Sequence, residues 1–337
     1  MAQARVAWAD LAKGLTIVLV VFGHAVDGVN TAVPLEPWLF DALKLPFGQF
    51  RMPLFFFVTG LFAAGSVRRA WPEFADRTLL PLVWVFLVWN VLQYAARMTF
   101  AGFANHPADP LEILYFSVQP INVTWFLWAL ILLYALLRVG RDMPPALLAA
   151  LTASLAATTL PIDHYALEQT SHFAVYFVLG YALAPVMRAW QARPEGRVVL
   201  LWLAGYGALC VLLLAGHVRE VPVLDLAVRC YGIGLVILGC AWTASRVRVG
   251  WLVGVGRYTL PIFVMHTIFT AGARETLLRL GITAEPMLLI LAATLAGLVL
   301  PLLLHAAARR VGAPWLFQRP AWFRLPAARP ATAAAEG

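Results

Sequence analysis

The sequence predicts an all-α polytopic membrane protein of about ten transmembrane helices, with both termini cytoplasmic. Three observations predict it. Of 337 residues, 62% are hydrophobic and 12% charged, about half the charge with which a soluble protein covers its surface. The mean hydropathy is +0.79. The apolar residues form long unbroken runs, not the short alternating segments of a membrane β-barrel. Finally, arginines gather in alternate connections between the runs. An ordinary cytosolic globule, a disordered chain and a secreted disulfide scaffold are excluded.

A hydrocarbon core about 30 Å thick asks for about 20 apolar residues per helix. Spans are read at 9–28, 46–66, 79–97, 124–140, 145–161, 171–189, 198–216, 224–244, 251–271 and 286–308. The first carries Asp10 and Lys13 near its start and no small-residue cleavage site follows, so it reads as a retained helix rather than a signal peptide. In the second, Pro53 suits a first helical turn and Gly60 a close helix approach. The fifth is short, bracketed by Pro144, Pro145 and Pro161. Residues 1–310 form one transmembrane domain. Residues 311–337 form a cytoplasmic Pro/Ala/Arg-rich tail, read as an interfacial segment with a disordered end.

An even number of spans puts both termini on one side. Arg5, Arg68, Arg69, Arg77, Arg138, Arg141, Arg188, Arg193, Arg197, Arg246, Arg248 and the tail arginines share that side. The other side carries Lys44, Arg97, Arg219, Arg274 and Arg279 among many acids, so the shared side is cytoplasmic. The net charge of +8 is spread through these connections rather than collected into a patch for nucleic acid. Cys210, Cys230 and Cys240 lie in apolar runs, at spacings that suggest neither zinc nor a disulfide framework.

Ionisable groups inside spans are costly and mark function. In the first span Lys13 and His24 are eleven residues apart, which places them about 20° apart around the axis and about 16 Å apart along it. Asp10 lies on the same face, about 40° from His24. The plain alternative is a structural Asp10–Lys13 pair at a helix end and a hydrogen-bonded bundle histidine. Three other features reach the depth of His24. Arg51 opens the second span, as a functional group or an interface-snorkelling arginine. Asn122-Val123-Thr124-Trp125 opens the fourth, where Trp125 by itself reads as an aromatic-belt residue. His266 lies in the ninth, after Tyr258-Thr259-Leu260-Pro261. Their convergence predicts a pocket.

These residues resemble the acyltransferase-3 family of integral membrane O-acyltransferases. The resemblance rests on Arg5…Asp10-Leu11-Ala12-Lys13-Gly14…His24, Met52-Pro53-Leu54-Phe55-Phe56-Phe57-Val58-Thr59-Gly60, Arg77…Pro81, Trp125-Phe126-Leu127, Phe177…Gly180-Tyr181 and Pro261-Ile262-Phe263…His266. The chain looks closest to the fucose 4-O-acetylase-like branch, which often has His where this chain has Arg51.

The resemblance implies a carbohydrate O-acyltransferase of the plasma (bacterial inner) membrane. It would take an acyl group, commonly acetyl, from cytoplasmic acyl-CoA to a glycan or glycolipid hydroxyl. His24 matches the family's essential histidine. Neutral imidazole suits a general base near neutral pH. In this reading Asn122 and Trp125 hold the sugar, while Arg51 or His266 orients the acceptor or the oxyanion. Lys13, Arg77, Arg68 and Arg69 bind the CoA phosphates, and Asp10 is structural or orienting. No metal and no permanently bound cofactor is expected; acyl-CoA is a co-substrate. Direct transfer and an acyl-histidine intermediate both stay open, as does the oligomeric state. The rival readings are a transporter or flippase for a lipid-linked sugar, and a membrane sensor or scaffold. Neither an internal repeat nor paired broken helices are evident to favour the transporter.

Overall fold

The computed structural model describes residues 7–100, 109–158, 163–190, 193–214, 222–247, 249–282 and 285–326. Among these residues the regular structure is helical throughout: α1 (Ala7–Ala32), α2 (Pro37–Gly48), α3 (Arg51–Val67), α4 (Trp71–Phe74), α5 (Leu80–Thr99), α6 (Glu112–Tyr115), α7 (Trp125–Val139), α8 (Pro145–Ala156), α9 (Tyr165–Ala189), α10 (Gly196–Leu214), α11 (Pro222–Ala244), α12 (Gly250–Arg257), α13 (Thr259–Arg279) and α14 (Pro286–Arg310). The all-α polytopic expectation holds. Eight helical stretches are long and apolar enough to cross a membrane, and the bent pair α12–α13 makes a ninth. Arg5, Arg219, Arg248 and the ends of the expected fifth and seventh spans lie outside the described residues.

The run expected as a fifth span folds as α8, only 12 residues, about 18 Å of helix. The chain still returns across the bundle there. Trp125 of α7 packs on Tyr165 of α9 and Tyr134 on Phe177, so α7 and α9 run in the same direction. The segment joining them therefore leads from one end of the bundle to the other. The helix within it ends at Ala156, which shares a cavity with Glu168 and Phe173 of α9.

α1 is the central rod. It packs on α2, α3, α11, α12, α13 and α14, which accounts for its apolar residues on every side. Two glycine pairs set the closest helix crossings. A Cβ on Gly60 would lie 2.0 Å from the Phe177 carbonyl oxygen, and one on Gly180 2.0 Å from that of Phe57, so α3 and α9 touch backbone to backbone. Gly14 and Gly256 do the same for α1 and α12, each 2.1 Å by the same measure from the facing carbonyl. Membrane helices lack a hydrophobic drive to associate and rely on such small-residue contacts.

The ninth span, expected as one rod over 251–271, is broken. α12 ends at Arg257 and α13 leaves at 85°. Gly254 and Gly256 weaken the end of α12. Tyr258 takes a non-helical conformation. Pro261 sits in the first turn of α13, where its missing N–H costs nothing.

A π-helical turn, Ala75–Leu79, precedes α5, and the Leu80 N–H bonds the Ala75 carbonyl. Pro81 explains it: a proline ring crowds the carbonyl four residues back and the turn widens. The tail up to residue 326 is held against the first half of α5 and the turn before it. Arg319 donates to both carboxylate oxygens of Asp76 in the π-turn, at 2.6 and 2.7 Å, and Asp76 also accepts from the Leu325 N–H. Trp84 and Trp89 of α5 donate to the carbonyls of Trp315 and Leu316. Two indole donors and a bidentate ion pair thus strap this segment to α5; the expected disordered end lies outside the described residues.

Candidate active site

α1 and α13 run in the same direction, and the site is built between them. At their beginnings lies a cavity of about 380 Å³ lined by Asp10, Lys13, Phe55, Val58, Thr59, Gly256, Arg257 and Thr259. The Gly14–Gly256 contact brings α12 onto α1 here. The 85° bend then places Arg257 and Thr259 in the same cavity as Lys13. The Lys13 ammonium also lies 4.6 Å from the Phe62 ring centroid, a cation–π contact that positions it.

Thr259, Phe263 and His266 fall at i, i+4 and i+7 on α13, so one face leads from the cavity to the histidine. Phe55 lines the cavity and packs on Phe126 and Phe263, with centroids 5.1 and 6.3 Å away. Phe263 in turn lies 5.9 Å from the His266 ring. An aromatic layer of Phe55, Phe126 and Phe263 thus stands between the cavity and the histidines.

His24 and His266 face each other, ring centroids 5.0 Å apart. His266 is fully buried. Its Nδ1–H donates to the Phe263 carbonyl at 2.7 Å, which leaves Nε2 as the lone-pair nitrogen. That Nε2 is buried with no hydrogen-bond partner among the described residues. A buried unsatisfied imidazole nitrogen costs stability and points to a functional use. Arg51 completes the group. Its Nη1 would lie 1.5 Å from a Cβ at position 23, so only Gly23 lets the guanidinium rest on the backbone beside His24. One turn further along α1, Asp27 is ion-paired with Lys44 of α2. Both Arg51 and Lys44 lie within electrostatic reach of His24.

Beyond the histidines Asn122 donates to Thr267 Oγ1 at 3.1 Å and to Gln93 Oε1 at 3.5 Å, and Gln93 donates to the Val264 carbonyl at 2.8 Å. Asn122 has φ of +51°, a left-handed conformation that asparagine tolerates better than most residues. Asn90 accepts from the Ile121 N–H and from Thr124, fixing this turn from α5. Trp125 is buried to 9% exposure and packs between Phe56, Phe173 and Tyr165. It is a wall of the bundle rather than a lipid-facing belt residue.

The structure therefore assembles His24, His266 and Arg51 in one group, Asp10 and Lys13 in a second, and Asn122 with Gln93 and Thr267 in a third. Arg68, Arg69 and Arg77 do not line the Lys13 cavity. Arg69 and Arg77 instead pair with Glu73 at 3.7 and 3.3 Å, and Arg68 is exposed. Sequence reading missed Arg257, Asp27, Asn90 and Gln93 as members of the site. The signal for Asn90-Val91-Leu92-Gln93 was present: two amides one turn apart in an apolar span need partners there. Nothing in the spacing foretold Arg257, which only the bend delivers. Among the described residues no three His, Cys, Asp or Glu side chains are grouped to hold a metal ion.

The fold and site define a polytopic helix bundle of the membrane-spanning class, with Lys13 and Arg257 in a cavity at one end of its central helix and an imidazole pair further along. The chain belongs to the acyltransferase-3 family: the family model, described as an acyltransferase domain, matches residues 6–306. It is 27% identical over 209 residues to nodulation protein NolL of Mesorhizobium japonicum, covering 58% of this chain and 54% of that protein. It is 30% identical over 135 residues to nodulation protein NolL of Sinorhizobium fredii, covering 39% and 35%. The matches thus span about a third to a half of the length of these relatives. No solved structure matches.

Proposed function

We propose that this protein moves an acyl group, acetyl in the simplest case, from cytoplasmic acyl-CoA to a hydroxyl of a cell-surface or lipid-linked carbohydrate in the bacterial inner membrane. Both termini lie in the cytoplasm in this reading, which the arginine distribution and the return of the chain through the α8 segment support. One observation carries it: the Lys13 cavity and the His24–His266 pair lie on the same two helices, about 16 Å apart along α1. That separation is of the order of an extended pantetheine arm. Lys13 and Arg257 bind donor phosphates, while the thioester passes the aromatic layer towards His24.

His24 removes the proton from the acceptor hydroxyl as its oxygen attacks the thioester carbonyl. Arg51, which has only donors, holds the oxyanion that forms. His266 does not suit that task, because its Nε2 carries a lone pair; it accepts a hydrogen bond that orients His24 or the acceptor. Collapse of the tetrahedral intermediate breaks the carbon–sulfur bond. The leaving CoA thiolate takes the proton from the His24 imidazolium. An acyl-histidine route uses the same groups in two steps. Asn122 and Trp125 shape the acceptor end. Arg77, Arg68 and Arg69 contribute at most to the outer rim of the donor site.

Membership of an acyltransferase family speaks for chemistry and against a flippase or a scaffold. The test follows label from acetyl-CoA into cell-surface glycans by mass spectrometry, in cells with and without the protein. Loss of a mass increment in the deletion strain and in a His24→Ala strain is expected. An unchanged glycan profile in both would overturn the proposal.

A further inference from the structure

A second cavity, of about 420 Å³, lies where α8 stops short. Its lining includes Glu168, Gln169, His172 and Phe173 of α9 with Asp225 and Arg229 of α11. α9 and α11 both belong to stretches long and apolar enough to span a membrane. Ionisable groups in such helices face protein or a water-filled space. Ala157 and Thr158, past the end of α8, line the same space. Non-helical backbone at membrane depth is tolerated only where it is buried or borders such a cavity.

Arg229 Nε donates to Asp225 Oδ2 at 2.7 Å, and His172 Nε2 lies 3.9 Å from the same oxygen. Both contacts fall on Oδ2, so among the described residues Oδ1 is available to a ligand. These side chains are partly accessible, His172 at 34% and Asp225 at 22%. The cavity thus offers two carboxylates, an amide, an imidazole and a single guanidinium, with no excess of positive charge. Such a set does not select an anion. It suits a neutral ligand rich in hydroxyls, each of which both donates and accepts. Phe173 supplies a flat apolar wall.

α9 links the lining of this cavity to residues packed beside the histidine site. Tyr165, Glu168 and His172 fall at i, i+3 and i+7, one face about 10 Å long. Tyr165 stands on Trp125 and lies within electrostatic reach of Arg51. Phe173 stacks on Trp125, with centroids 5.9 Å apart.

We propose that this cavity is a saccharide subsite, which holds a non-reacting part of the carbohydrate acceptor while another hydroxyl reaches His24. It rests on the glycan-acyltransferase reading above. Binding remote from the reacting atoms is a general way to orient a substrate.

The test uses the full chain in nanodiscs and, as probe, the membrane glycan fraction of cells lacking the protein. Equilibrium retention of that fraction is measured on the His24→Ala protein, then with Gln169→Ala or Asp225→Asn added. A loss of about tenfold in affinity is expected, the scale of one or two hydrogen bonds. In the His24-containing protein the same substitutions should raise the glycan KM about tenfold while the acetyl-CoA KM moves far less. Gln169→Ala guards against misfolding of the Asp225 variant. Unchanged retention and unchanged glycan KM in the Gln169 variant would overturn the subsite. A His24→Ala protein that still transfers acetyl overturns the catalytic reading instead, and the retention measurement then judges the subsite alone.

Discussion

His24 and His266 are 242 residues apart in the chain, yet their imidazoles face each other with centroids 5.0 Å apart. The Phe263 carbonyl fixes the His266 tautomer and so leaves its buried Nε2 as an acceptor. The two rings are therefore not equivalent.

This asymmetry predicts different losses. His24→Ala should lower kcat by about 10²- to 10⁴-fold, the span of a general base. His266→Phe keeps the bulk, removes the acceptor and should cost less. Acetyl transfer from labelled acetyl-CoA, measured at saturating donor, checks both; equal activity of His24→Ala and the parent would remove His24 from the reaction.

At the cavity, Lys13→Ala and Arg257→Ala should each raise the acetyl-CoA KM by about tenfold, as expected for one charged hydrogen bond in a partly open site. Arg77→Ala should do less, because Arg77 is engaged with Glu73. Donor titrations of the three variants rank them. A larger effect at Arg77 than at Arg257 would move the phosphate site to the π-turn.

Gly60→Val forces a side chain into a backbone-to-backbone crossing. It should destabilise the bundle by about 1–3 kcal/mol, the usual cost of overpacking. Thermal melting of the purified protein measures the drop. Gly65, whose Cβ would meet nothing within 4 Å, provides the control through Gly65→Ala.

Arg319→Ala leaves Asp76 with the Leu325 N–H but without its ion-pair partner. The strap should then loosen, seen as a lower melting temperature and faster proteolytic cleavage between residues 311 and 326. Asp76→Asn should act in the same direction, and the double variant should add little to either single change.

Much of the fold was legible in the chain. Twenty-residue apolar runs announce helices because the bilayer offers the backbone no partners, and Gly60 marked a close approach before its partner was known. The Lys13–His24 stripe followed from helical periodicity alone. The donor arginines were harder to place. Arg68, Arg69 and Arg77 lie in a connection, and periodicity says nothing about whether a loop cation turns to a neighbouring acid such as Glu73 or to a cavity.

The sequence by itself determined the solvent this protein lives in, the helices that solvent demands and the face on which His24 lies, since these depend on local composition and the fixed pitch of a helix. Only the tertiary structure decided that α12 and α13 part at Tyr258, that His266 meets His24, that Trp125 turns inward and that the tail grips Asp76. Those outcomes depend on which backbones can approach each other, and that is settled by glycine-sized gaps and prolines on segments far apart in the chain.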